Sequence, residues 1–272
     1  MISWIPLSRT DHADKHWRPR KGYEFAATQQ VVSIILAELA KVMPHYATGF
    51  VEADDGAFQF VALVGMGGER NLYVTGDSQW LCSYVPASLR AYPFAVLNDP
   101  KGNKIFCLDE DYISDDDMHP RLFQEDGELE KTAADTLDFI SHCERNRLLT
   151  LKATSALVDA DLLEPWPISI SSGEGQESLT INGMYRVNEK KMNSQSPERM
   201  AALRDVGALP LAYAQIFSMS QLEQLTHRAD HLAKEKLNNT PTSGMDNLFS
   251  NEDSGSLNFD AFESSNDDTD SK

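Results

Sequence analysis

His227 and His231 stand four residues apart with Asp230 between them. On a helix that spacing puts both imidazoles on one face, the arrangement of helical zinc sites. Position 228 is Arg where a zinc-protease helix has Glu, and no third ligand follows. The pair reads as histidines on a solvated helix face, and no metal is expected. His12 and His16 repeat the spacing in a less regular stretch. Asp109, Glu110, Asp111 and Asp115–Asp117 offer oxygen ligands for a divalent cation, without the spaced acidic loop that ends in Glu. They read as a solvated acidic loop. Gly65-Met66-Gly67-Gly68 follows an expected strand, but a strand rather than a helix comes next, so no helix N-terminus is there to hold a phosphate. No G-x-S-x-G elbow occurs. Cys82, between Leu81 and Ser83, reads as a packed strand residue rather than a nucleophile. No cofactor is implied.

The remaining candidates lie in residues 71–94, NLYVTGDSQWLCSYVPASLRAYPF. Trp80, Tyr84, Arg90, Tyr92 and Phe94 are of the residue types that dominate interface hot spots. Arg90 has a fork suited to a carboxylate. The alternative is that Trp80 and Phe94 are core and Arg90 closes a loop on backbone carbonyls.

The elements that must position these residues follow from periodicity and turn chemistry. Residues 1–22 read as an extended arm held to the body by Trp4 and Trp17. Val31, Val32, Ile35, Leu39, Val42 and Met43 form one stripe, which predicts a helix over 28–43 with Thr28 as N-cap and Pro44 as terminator. Period-two patterning predicts a hairpin of 48–53 and 57–65 about Asp54-Asp55-Gly56. Strands at 71–75 and 79–85 and a helical turn at 86–92 come next. A second hairpin, 95–97 with 104–108, completes a single antiparallel sheet. The acidic loop 109–127 leads to a long helix over 128–163, with a break near Asn146. A hairpin of 168–170 and 179–187 about Gly173-Glu174-Gly175 is expected. Ser196-Pro197-Glu198 starts a helix. Residues 209–217 fit strand or helix, and Ser220–Glu223 is a capping box for a last helix ending near Leu237. The fold class is therefore α+β, an antiparallel sheet packed against long helices. Residues 1–237 form one domain, and 238–272, with eight acids and one lysine, form a disordered acidic tail.

Composition narrows the partners. The net charge of −18 over 272 residues repels nucleic acid and anionic lipid from most of the surface. The longest apolar run, residues 31–37, is far short of the roughly 20 residues that span a bilayer. The N-terminus has no basic start with an apolar core, so no secretory signal is expected. Cys82, Cys107 and Cys143 are odd in number and widely spaced, which points to reduced thiols and the cytoplasm.

Several blocks, in order, resemble one family. They are Tyr23-Glu24-Phe25-Ala26, Asn71–Val74 with Trp80, Tyr84–Ala87, Leu89-Arg90, Tyr92–Phe94, Leu122–Gly127, Leu162–Trp166, Gly183–Lys190 and Gly207–Gln215. Over about residues 20–235 the chain resembles the SapC family of bacterial proteins, named from a surface-layer gene cluster. The resemblance implies an accessory role in a surface-protein or nutrient-uptake system and supplies no catalytic residue. The expectation is a non-enzymatic cytoplasmic binding protein with a protein or peptide partner and the tail as a second contact. The alternative is an enzyme that modifies or hydrolyses a peptide or small molecule through the acidic loop and a histidine.

Overall fold

The computed structural model of the chain describes residues 2–67, 70–170 and 179–239. The arm contributes β1 (Trp4–Pro6) and β2 (His16–Trp17). Then come β3 (Val31–Ser33), a 3₁₀ turn at Leu36–Glu38 and α1 (Leu39–Val42). The hairpin β4 (Thr48–Glu52) and β5 (Phe58–Leu63) is followed by α2 (Ala87–Arg90). The hairpin β6 (Phe94–Asn98) and β7 (Lys104–Asp109) leads to β8 (Ile113–Ser114) and the long α3 (Lys131–Asp159). Next are β9 (Leu163–Pro165), β10 (Ile168–Ile170), β11 (Leu179–Ile181) and β12 (Met184–Val187). The chain ends in α4 (Glu189–Asn193), α5 (Pro197–Asp205), α6 (Ala208–Ser218) and α7 (Leu222–Asn239).

Among the described residues all strand pairings are antiparallel. The class is α+β, but the strands do not make the single sheet expected. A five-stranded sheet runs β3-β5-β4-β12-β9 and a three-stranded sheet runs β1-β7-β6. The split falls at residues 71–85, where two expected strands reduce to one bridge, Val74↔Trp80. Local bonds take the backbone there instead of a ladder. Asn71 donates to the Ala26 carbonyl and accepts from Tyr73 N, and Thr75 Oγ1 accepts from Gln79 N.

The helix expected over 28–43 is a strand in its first half. Val31↔Leu63, Val32↔Ala62 and Ser33↔Val61 pair β3 with β5. Val32 and Ile34 are buried while Val31, Ser33 and Ile35 are half-buried, a period of two. Crowded β-branched side chains suit a pleated edge better than a helix. Helix begins only after Ile35, and Thr28 caps none.

α3 is continuous through Asn146. Asn146 Oδ1 and Thr150 Oγ1 instead accept from Ala37 N and Leu36 N, each at 2.9 Å, and so fasten the 3₁₀ turn to α3. Residues 209–217 are helical. Buried Gln215 on α6 accepts from Val187 N and donates to the Thr48 carbonyl, which ties α6 to the sheet. Ser196 caps α5 as expected, accepting from Arg199 N. Ser220 caps nothing: its hydroxyl donates to the Phe217 carbonyl, within a 3₁₀ turn that carries α6 directly into α7.

The chain to His231 is one compact unit, and the described residues beyond it are the end of α7. The expected turn at Gly173–Gly175 and residues 240–272 of the expected tail lie outside the described residues. Residues 238 and 239 belong to α7. Among the described residues no helix is long and apolar enough to cross a membrane.

Candidate functional site

The five aromatic and arginine candidates do not form one groove. Phe94 opens β6 in the core, 3% exposed, edge-on to Trp17 at 4.9 Å and stacked on Phe106 at 5.2 Å. Trp80 is half-buried against Tyr73 and Tyr23, and its indole N–H donates to Tyr46 Oη at 2.9 Å. Tyr46 in turn donates to the Tyr84 carbonyl, and Tyr73 donates to the His45 carbonyl. Burial pushes the Tyr46 and Tyr73 hydroxyls far above the ordinary phenol range.

Tyr84 and Arg90 are organised by a buried carboxylate. Glu38, 3% exposed, accepts from Ile35 N at 2.9 Å and from both Ala87 N and Tyr84 Oη at 2.8 Å. Burial first, and then the bond to Glu38, raise the Tyr84 hydroxyl well above its usual value. Arg90 neither pairs a carboxylate nor bonds a carbonyl among the described residues. Its guanidinium lies over the Phe139 ring at 4.8 Å and the Tyr84 ring at 5.5 Å, and donates to Tyr84 Oη at 3.4 Å. This group braces α2 against the 3₁₀ turn at Leu36–Glu38 and α3.

Tyr92 is the one candidate that faces a cleft. This cleft, of about 960 Å³, lies between the arm and the stretch after β7. The floor is an aromatic stack, Tyr92 on Phe25 with centroids 3.9 Å apart and rings 14° from parallel. Trp4 backs Tyr92 edge-on at 6.2 Å, brought there by the β1–β7 pairing. Tyr112 meets Tyr92 edge-on at 5.1 Å. The Tyr92 hydroxyl donates to Oδ2 of Asp109, which is 2% exposed and also accepts from Asp111 N on its other oxygen. Burial, then the bond to Asp109, raise the Tyr92 hydroxyl; burial also raises that of Tyr112.

Arg18, Arg20 and Lys21 also line the cleft. Their stretch is tied at both ends, Arg18 N to the Tyr112 carbonyl at 2.9 Å and Tyr23 N to the Ser78 carbonyl at 2.7 Å. Gly22 sits between with no room to spare, since an added Cβ would lie 2.7 Å from Ser78 Cβ. The Arg18 guanidinium donates to the Asp111 carbonyl, and that of Arg20 donates to Tyr23 Oη at 3.1 Å while lying 4.2 Å over its ring. Among the described residues none of the three cations has a carboxylate within 4.0 Å. Three acids line the same cleft: Asp109 takes Tyr92, Glu24 takes Tyr112 at 3.4 Å, and Asp111 is exposed. These cations lie outside the aromatic-rich stretch 71–94, so its composition does not point to them. Their signal in the sequence is the run Arg18-Pro19-Arg20-Lys21, a concentration of cations in an acidic chain.

His119 also lines the cleft, with Nδ1 on Ser114 Oγ at 2.8 Å. Ser114 Oγ is engaged by Asp116 N as well, in a local turn. A second pair, Ser83 with His45 Nε2 at 3.1 Å, lies outside the cleft. Among the described residues neither histidine hydrogen-bonds a carboxylate. His227 is exposed, 3.8 Å from Glu223. Among the described residues no three His, Cys, Asp or Glu side chains gather as a metal site. The three cysteines are free, Cys107 buried and the others half-buried.

Fold and site thus define an α+β protein with a cleft of aromatic floor and mixed charged lining. The chain belongs to the SapC family, whose sequence model matches residues 7–225. The match takes in Arg18, Arg20, Lys21, Phe25, Tyr92 and Tyr112. No curated protein and no solved structure matches the chain.

Proposed function

We propose that this SapC-family chain is a cytoplasmic binding protein of a surface-protein or nutrient-uptake system, and that a protein or peptide partner docks in the cleft above Phe25 and Tyr92. The observation that carries this is the Phe25–Tyr92 stack, held in the cleft by Trp4 and Asp109, with Arg18, Arg20 and Lys21 in the lining. Fixed aromatic faces beside arginines are the composition of binding hot spots. They accept an incoming side chain at little entropic cost because the rings are already ordered. The acidic C-terminal stretch, residues 238–272, is a second contact in this reading.

Affinity capture of partners by the tagged chain tests it. Phe25→Leu keeps most of the apolar volume and removes the ring face. An aromatic contact is worth about 0.5–1.5 kcal/mol, so capture should weaken by roughly two- to tenfold. Removing 238–272 should weaken it further. Unchanged capture in both would refute the reading.

A further inference from the structure

We propose that the free edge of β6 is a second interaction surface, one that takes an extended peptide segment of a partner as an added strand. The outermost strand of a sheet presents N–H and C=O groups without ladder partners, and proteins ordinarily close such edges. The two larger sheets have four of them, β1, β6, β3 and β9. Three are closed. The bonds Glu110 N to Ser3 O and Leu7 N to Phe106 O turn Pro6 of β1 away from β7, so that outward position has no N–H. The bonds Asn188 N to Leu162 O and Trp166 N to Met184 O do the same for Pro165 of β9. On β3 the outward Ser33 carbonyl accepts from the Ser88 hydroxyl at 3.0 Å.

β6 has no such device. Asp109 N bonds the Pro93 carbonyl and Asp99 N the Asn103 carbonyl, so the odd-numbered residues of β6 face β7, and Val96 and Asn98 direct their N–H and C=O groups outward. Among the described residues no hydrogen bond reaches those groups. The strand, Phe94-Ala95-Val96-Leu97-Asn98, carries no charge and no proline, and Leu97 is 40% exposed. Beside this edge lies a cavity of about 380 Å³, between Val96 and Asn98 on one side and Ile140 and Cys143 of α3 on the other. A strand laid along β6 sends every second side chain to that face. The charges of the lining engage one another, Glu144 with Arg147 at 2.7 Å and with Lys104 at 3.7 Å, so selection here is by backbone and apolar bulk. Alternating donors and acceptors at the strand repeat are what an extended peptide backbone offers and a helix does not. The net charge of −18 on each chain opposes a second copy as the occupant.

A blocked, fluorophore-labelled heptapeptide, Ser-Thr-Phe-Thr-Ile-Thr-Ser, tests this by anisotropy on the full chain. Two N-methylated forms accompany it, one methylated at the Phe and Ile nitrogens, the other at the first two Thr nitrogens. An added strand donates to β6 from one of these alternate sets and not from the other. One form should therefore bind at least about tenfold more weakly and the other should match the parent. Asn98→Pro deletes one outward N–H and no ladder bond to β7, and should weaken the parent about two- to tenfold, while Asn98→Thr should not. The methylated pair needs no change in the protein, so it decides even where Asn98→Pro perturbs the hairpin. Phe25→Leu should leave binding unchanged, which separates this edge from the cleft. Equal losses from both methylated forms, or no binding of the parent, would overturn strand addition. Weakening by Phe25→Leu as large as that by Asn98→Pro would place the peptide in the cleft and overturn the proposal. Self-association of the chain in light scattering that Asn98→Pro abolishes would make a second copy the occupant, and would overturn it as well.

Discussion

Glu38→Gln isolates what the Tyr84–Arg90 group does. The wild-type carboxylate accepts three hydrogen bonds in a nearly dry site, from Ile35 N, Ala87 N and Tyr84 Oη. Gln keeps one acceptor oxygen, enough for one of the two backbone N–H groups. The amide NH₂ then faces the other N–H, donor against donor. Tyr84 can adapt by turning its hydroxyl to accept, but a buried backbone N–H left without an acceptor costs about 1–3 kcal/mol. The lower cost of burying an amide than a carboxylate offsets part of this. The net expectation is a loss of about 2 kcal/mol, which in a domain of this size lowers Tm by about 4–8 °C. Urea unfolding followed by tryptophan fluorescence checks it, with a lower midpoint and an unchanged slope. A loss below about 0.5 kcal/mol would refute the bracing role. So would full stability combined with lost partner capture, because Tyr84 and Arg90 would then belong to a binding surface.

Two further outcomes follow from the cleft and the buried phenols. Tyr92→Phe removes one O–H from buried Asp109 and leaves the ring stack, so it should cost about 1–3 kcal/mol in the same urea assay while partner capture stays near wild type; lost capture at full stability would place the hydroxyl, not the ring, in recognition. The hydroxyls of Tyr46, Tyr73, Tyr84, Tyr92 and Tyr112 are all raised, chiefly by burial. The fold favours their neutral form, so their contribution to stability is complete below about pH 10, where unfolded tyrosine titrates, and is lost as pH climbs beyond it. Phenolate absorbance of these residues should rise together with loss of the far-UV signal; ionisation of all eight tyrosines near pH 10 in an intact fold would contradict this.

The hairpins were legible because their turns carry their own chemistry. Asp54-Asp55-Gly56 places Gly56 at φ 79°, and Asn98–Asn103 places Gly102 at φ 84°. The long helix and the Ser196 cap were legible for the same local reason. Residues 31–35 were not, because the same apolar set satisfies a helical stripe and a strand alternation, and only the edge of β5 decides between them. Of the five candidates, Tyr92 alone lines the cleft. Tyr92 becomes a cleft residue only because β1 and β2 pair with β7 and β8, contacts spanning about a hundred residues of chain, and no local pattern announces them. Phe94 is buried, Trp80 and Tyr84 are half-buried with their polar tips bonded to Tyr46 and Glu38, and Arg90 is exposed over the Tyr84 and Phe139 rings.

The claim that the cleft is the docking surface is tested most directly by photo-crosslinking. A benzophenone amino acid replaces exposed Lys21 in the cleft lining, or, as control, exposed Lys152 on α3. Irradiation in the native cell extract should join one partner to the Lys21 position, with no product at Lys152. Equal labelling at both positions, or a partner joined only at Lys152, would contradict the account.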